Sequence, residues 1–268
     1  MRKTLLIALA FFALAAGAAD VFSSNTFAVM EVSSSSTHTI IAIPWTAYTL
    51  TGSQERDIRV DHLVSPRNLT VGDLILVPTS GVSYAAWALA EADGAGGAKT
   101  WEPIATAELL ASNIATNKNP LIKDNGGDAI IARGYGMWLI RQDPTKPFYV
   151  YGQWATGGKS VTVEQGTATV PAYTMLGDPL LREVDINALK WENVGAGDSV
   201  IITTDASATK NCTWDGSKWY HVVVTKTTKF GRTVASSTKV YEGLTVPAGA
   251  GFWYVSRGGA PTVTFADE

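Results

Sequence analysis

The chain is short of cysteine. Cys212 is the only one in 268 residues, so no disulfide can form within the chain and the fold must rest on packing. We interpret Cys212 as a half-buried strand residue, because free cysteine often behaves as a small buried hydrophobe. An intermolecular disulfide or a reactive thiol is the functional alternative.

The chain also has no excess of basic residues. It carries 21 Lys and Arg against 24 Asp and Glu, a net charge of −3, and charged residues make up 17% of the total. Nucleic-acid binding favours a clustered basic face, which these scattered signs do not indicate. We therefore predict no nucleic-acid partner.

Catalytic patterns are missing as well. His38, His62 and His221 fall in separate segments without metal-ligand spacing, and there is no Gly-x-Ser-x-Gly motif. Acidic residues occur, but no visible pattern pairs two of them for glycoside hydrolysis. We predict no catalytic residues, no metal site and no cofactor, so that the chain is not an enzyme. A glycan-active hydrolase is the least favoured alternative.

Long apolar runs are absent after the first 19 residues. Met1-Arg2-Lys3 precedes an apolar run over residues 4–16 that ends in small residues and is too short for a stable membrane anchor. This pattern predicts a secretory signal peptide over residues 1–19. We expect a bacterial protein that is extracellular or at the cell surface, with the periplasm as an alternative. No integral membrane segment is expected once the signal is removed.

What the chain does have is an internal repeat. Gly72-Asp73 and Gly197-Asp198 each open an apolar strand pattern, and Gly134-Tyr135-Gly136 and Gly249-Ala250-Gly251 each precede a tryptophan two residues later. Two matches in the same order indicate a duplicated unit. We predict a first β unit over residues 20–155 and a second over residues 156–268.

The pattern within each unit predicts a mainly β fold. Val-Thr-Val alternation recurs, and Asp215-Gly216 between aromatic residues is typical of a hairpin turn. We expect two homologous antiparallel units in tandem, built as small barrels or sandwiches. Residues 104–113, rich in alanine and leucine after Pro103, predict one short helix in the first unit.

The motif order of the second half resembles a set of secreted bacterial β-repeat proteins of the planctomycete and verrucomicrobial type, which are largely uncharacterised. Residues 184–198, 214–219 and 246–255 carry the resemblance. It implies secretion and a β fold, and it implies no activity.

These observations favour a structural or self-assembly protein. Secretion, duplication, low charge and missing catalytic groups point to packing through β surfaces, with strand addition at an exposed edge and residues 25–32 as a candidate for exchange. The predicted partner is then another copy of the chain.

A carbohydrate-binding module is the alternative, with extracellular polysaccharide as the partner. Trp214, Trp219 and Tyr220 form an aromatic cluster on one hairpin, and Trp101 is the counterpart in the first unit. Exposed aromatic rings stack on sugars and also drive assembly. Trp138 and Trp253 are a further pair of possible sugar platforms, but their recurrence favours a core role.

Overall fold

The structure is a computed structural model. It describes residues 27–32, 37–43, 45–46, 58–59, 63–80, 83–91, 96–104, 130–131, 133–154, 157–205, 208–229 and 232–266. The predicted signal peptide and all but the first residue of the predicted helix over 104–113 lie outside these residues, and so do Asn25 and Thr26 of the candidate exchange strand.

The described residues form β-strands joined by turns. The strands before residue 155 are β1 (Phe27–Val32), β2 (His38–Ala42), β3 (Trp45–Thr46), β4 (Ile58–Arg59), β5 (Leu74–Ser80), β6 (Ser83–Glu91), β7 (Lys99–Pro103), β8 (Ile130–Ile131), β9 (Gly136–Ile140) and β10 (Phe148–Trp154). The later strands are β11 (Lys159–Thr162), β12 (Ala172–Gly177), β13 (Val184–Asp185), β14 (Lys190–Glu192), β15 (Ser199–Asp205), β16 (Ala208–Trp214), β17 (Trp219–Lys229), β18 (Arg232–Val240), β19 (Thr245–Val246), β20 (Gly251–Ser256) and β21 (Thr262–Phe265). The predicted mainly β, antiparallel fold is confirmed.

Two large sheets share one strand order. The first runs β2-β9-β5-β6-β7, and the second runs β12-β20-β15-β16-β17-β18. Counted from the two Gly-Asp motifs, the registers also agree. The matching pairs are Ile75–Leu139 with Val200–Tyr254, Ile75–Trp87 with Val200–Cys212, and Leu89–Trp101 with Trp214–Trp219. Among the described residues, no strand of the first sheet corresponds to β18.

Smaller sheets complete each half. The sheet β1-β10-β3 and the pair β4-β8 accompany the first large sheet, and β11-β21-β14 and β13-β19 accompany the second. One core joins Met30 and Phe148 of the small sheet to Ile75 and Trp87 of the large one. A second core, which includes Val263, Val200 and Trp219, is built in the same way. Burial of these apolar faces stabilises the fold.

Each Gly-Asp motif forms a tight turn into its strand. Gly72 and Gly197 have φ of 90° and 85°, a backbone conformation that favours glycine. The aspartate that follows is buried and accepts backbone hydrogen bonds. Asp73 does so from Thr70 and Gln142, and Asp198 from Gly195 and Arg257. The repeat in the sequence therefore corresponds to one local structure that occurs twice.

The two large sheets meet through contacts that come in exchanged pairs. The Ala42 amide donates to the Gly249 carbonyl at 3.1 Å, and the Gly177 amide donates to the Gly134 carbonyl at 3.1 Å. Ala42 and Gly177 end β2 and β12, which occupy the same place in the two sheets. The same backbone hydrogen bond is thus made twice at the junction, with the roles of the two sheets exchanged.

Trp138 and Trp253 lie at this junction. Their ring centroids are 6.3 Å apart, and each ring is half-buried. The preceding residues, Met137 and Phe252, are fully buried and fill the cores. The core role predicted for the two tryptophans is therefore taken by their neighbours, and the tryptophans themselves join the two sheets.

Candidate assembly surface

The second large sheet ends in a hairpin that extends beyond its neighbours. Strand β17 pairs with β16 only at Trp219, Tyr220 and His221, whereas its pairing with β18 continues to Lys229 opposite Arg232. We call residues 222–239 the arm. At about 3.4 Å per residue, its eight residues beyond His221 on β17 span about 27 Å. Within the described part of the chain, the arm pairs only with itself.

Both faces of the arm meet solvent. Val222, Val223 and Val224 are 50%, 40% and 55% exposed, although valine is usually buried. The described side chains that follow them on β17, from Thr225 to Thr228, are exposed too. An isolated two-stranded ribbon is marginally stable in water, and a third strand or a packed face is needed for stability. The arm therefore has the features of a surface that a partner covers.

The described side chains on the two faces differ in charge. Residues opposite each other in antiparallel strands share a face. One face carries Val222 opposite Lys239 and Lys226 opposite Ala235. The other face carries uncharged β-branched and small side chains between His221 and the tip. These are Val223, Thr225 and Thr227 on β17 and Ser236 and Thr238 on β18. Among its described side chains, the arm thus offers one face with two lysines and one uncharged face, and neither of its edges is paired with another strand. The register places the pair Lys229 and Arg232 at the tip on the same side as the uncharged residues.

The base of the arm is fixed by the body of the protein. The Asn187 amide donates to the Trp219 and Tyr241 carbonyls at 3.0 Å, and its oxygen accepts the Trp219 amide at 2.8 Å. Above this anchor the Lys239 ammonium lies 4.2 Å from the centre of the Tyr220 ring, a cation–π contact. The arm consequently leaves the sheet from a rigid base.

Trp219, predicted as a surface ligand-binding residue, has no exposed surface. Its ring centroid lies 5.1 Å from that of Trp214, 5.3 Å from that of Trp191 and 5.8 Å from that of Tyr254. Trp214 is half-buried at the side of this cluster. The register of β16 and β17 turns Trp219 inward, and a ring without open surface has no face to offer a sugar. Exposure, on which the prediction depended, is absent at Trp219.

Trp101 occupies the matching place in the first sheet and is also buried, with 6% of its surface exposed. Its indole Nε1 donates to the Val64 carbonyl at 2.8 Å, which holds the ring in the core. Tyr220 is half-buried and stays on the surface, beside Tyr241 at 5.7 Å between ring centroids. The structure therefore places two of the four predicted residues in cores and keeps Trp214 and Tyr220 partly accessible.

Cys212 lies in the core of the second sheet. Burial raises the pKa of its thiol to about 11, so the thiol is protonated at neutral pH. A buried neutral thiol is a poor nucleophile. Cys212 is a strand residue, as interpreted, but it is fully buried rather than half-buried.

The arm was missed in the sequence. A signal for it exists, because residues 221–240 contain four basic residues, no acidic residue and many β-branched residues. That composition predicts strands, but it does not tell whether the strands have neighbours.

The described residues contain no group of three His, Cys, Asp or Glu side chains placed to hold a metal ion. The described residues also contain no helix that is long and apolar enough to cross a membrane. No protein family, no curated protein and no solved structure matches the chain.

Proposed function

We propose that the chain is a secreted, non-enzymatic structural protein of the bacterial cell surface or extracellular space, and that it assembles through the arm. The observation that carries this proposal is that the described residues of the arm are exposed on both faces and pair with no other strand at either edge. Edge strands with free amide and carbonyl groups are templates for pairing with another chain.

The proposal includes two homologous β units in tandem. The shared strand order, the matching registers and the paired contacts at the junction support it. In the described part of the chain the first sheet ends at β7, whereas the second sheet continues from β17 to β18, which form the arm.

Native edge strands are usually short, charged or covered, which prevents unwanted pairing. The arm is long, and its first three residues are exposed valines. An apolar exposed edge of this kind favours association. The proposal explains the exposed valines as part of a surface that becomes buried when copies of the chain assemble.

The first test compares two chains by sedimentation velocity and negative-stain electron microscopy over a concentration series. One is the chain from Asp20, the predicted mature start. The other, the armless chain, has residues 222–239 replaced by Asn-Gly. Because His221 and Val240 are paired, a two-residue turn can join them. We expect concentration-dependent oligomers or polymers from the first chain and folded monomers from the second. A monomer at all concentrations of the first chain contradicts the proposal.

A triple variant tests whether the apolar side chains of the arm drive the association. Replacing Val222, Val223 and Val224 by threonine keeps the strand propensity and removes apolar area. We expect association to weaken by about tenfold or more. Val170→Thr is the matched control, because Val170 is 70% exposed and lies outside the arm. Equal weakening in both variants would show that the arm is not the contact.

A further inference from the structure

The charge of the arm indicates which kind of surface it binds. Between His221 and Val240 the sequence has Lys226, Lys229, Arg232 and Lys239 and no acidic residue. The rest of the chain has 17 basic against 24 acidic residues, a net charge of −7. The arm and the remainder, which we call the body, therefore carry opposite signs.

Pairing between two arms is disfavoured by this distribution. Two arms side by side bring eight positive charges into one small sheet, and like charges on neighbouring strands are destabilising. An arm that contacts an acidic surface is attracted to it. Complementary electrostatic potentials also raise the rate of association. The body of another copy has the required negative net charge.

We propose that the arm of one copy docks on the acidic body of the next copy, so that assembly is head-to-tail. This inference rests on the proposed function and names the partner of the same surface. A contact between two different surfaces is heterologous, and it produces rings if the rotation closes or open filaments if it does not. Every copy in such an assembly offers one arm and one acceptor.

The armless chain tests this directed geometry. It lacks the arm but keeps the body, so it binds the arm of a complete copy and offers no arm for the next. We expect a small proportion of armless chain to shorten the assemblies and to co-purify with tagged complete chain. If arms pair with arms, the armless chain has no contact and the assemblies keep their length.

A charge variant tests the electrostatic part. Lys226→Gln with Lys239→Gln removes two exposed positive charges from the arm. Lys218→Gln, with exposed Lys218 in the turn at the opposite end of β17, is the control. We expect the arm variant to associate at least about tenfold more weakly in 0.05 M salt and to respond less to 0.5 M salt, since screening acts on the charges that remain. Equal behaviour of the two variants overturns the inference.

Soluble polygalacturonate is the probe for a polyanion partner. If the complete chain binds it through the arm and copies do not associate with each other, both the inference and the proposed function fail. If copies associate and the armless chain neither binds nor shortens the assemblies, the head-to-tail inference fails and the proposed function stands.

Discussion

Two buried aspartates show how single residues hold this fold. Asp73 Oδ1 and Oδ2 accept the Gln142 and Thr70 amides at 2.8 and 2.9 Å. Asp198 accepts two amides at the same places and also the Tyr254 hydroxyl, at 2.7 Å from Oδ2. Burial raises the pKa of the Tyr254 phenol, and the hydrogen bond that the phenol donates to Asp198 and the charge of that carboxylate raise it further. Each buried aspartate thus accepts two partly buried backbone amides from two different turns.

Asp198→Ala should therefore destabilise the protein more than Asp73→Ala. It leaves three donors without an acceptor rather than two, and we expect a loss of about 3 kcal/mol in the free energy of unfolding. Urea unfolding of the two variants measures the difference. Tyr254→Phe is the matched control, because in its background Asp198 accepts only the two amides, as Asp73 does, and the two alanine substitutions should then cost similar amounts. A loss below about 1 kcal/mol for Asp198→Ala would contradict the structural role.

At the scale of elements, the hairpin that begins the arm depends on one turn. The Asp215 carboxylate accepts the Lys218 and Ser217 amides at 2.9 Å, and the Tyr241 hydroxyl donates to it at 2.9 Å. The two amides, Lys218 first, together with the hydroxyl, hold the pKa of Asp215 well below its ordinary value. The charged carboxylate thus connects the turn between β16 and β17 to Tyr241 at the base of the arm.

The turn should contribute stability that depends on pH. Since the pKa of Asp215 is lower in the folded chain than in the unfolded chain, its contribution is complete above about pH 4 and is lost as pH falls further. Asp215→Asn keeps the shape and lacks the titration. We expect the difference in melting temperature between the natural chain and this variant to be largest near pH 7 and to shrink below pH 4. A constant difference from pH 7 to pH 2 would contradict this role.

The sequence predicts the strands and turns better than it predicts which of their side chains are buried. The Gly-Asp strands became β5 and β15, and the Asp215-Gly216 turn joins β16 to β17 as expected. Alternation and turn chemistry are local, so residues 72–76 and 215–216 carry their own signals. The face on which Trp219 lies depends on register with β16, and a shift of one residue would reverse it. The exposure of Val222 likewise depends on β16 ending its pairing at His221, which no local pattern records.

At the scale of the whole molecule, the two large sheets depend on close approach at their junction. A Cβ at Gly177 would lie 2.3 Å from the Ala42 Cβ, and a Cβ at Gly251 would lie 2.4 Å from Ile40 Cγ2. Atoms that close must move, so glycine is required at these positions. The matching residue of Gly177 in the first sheet is Ala42 itself, which means that the junction holds one methyl group where the two strand ends meet.

Moving that methyl group from one sheet to the other tests the junction. Gly177→Ala alone should lower the free energy of unfolding by about 2 kcal/mol through overpacking. Combining it with Ala42→Gly restores the number of methyl groups but leaves the Ala42 Cα, which would lie 2.5 Å from the new Cβ. We therefore expect the double variant to recover only part of the loss, with a coupling of about 1 kcal/mol between the two substitutions. Gly258→Ala is the control, because its nearest neighbour would be the Gly195 Cα at 3.6 Å and little change is expected. Chemical unfolding of the four chains measures the cycle. Additive effects of the two substitutions would mean that Ala42 and Gly177 do not share one space at the junction.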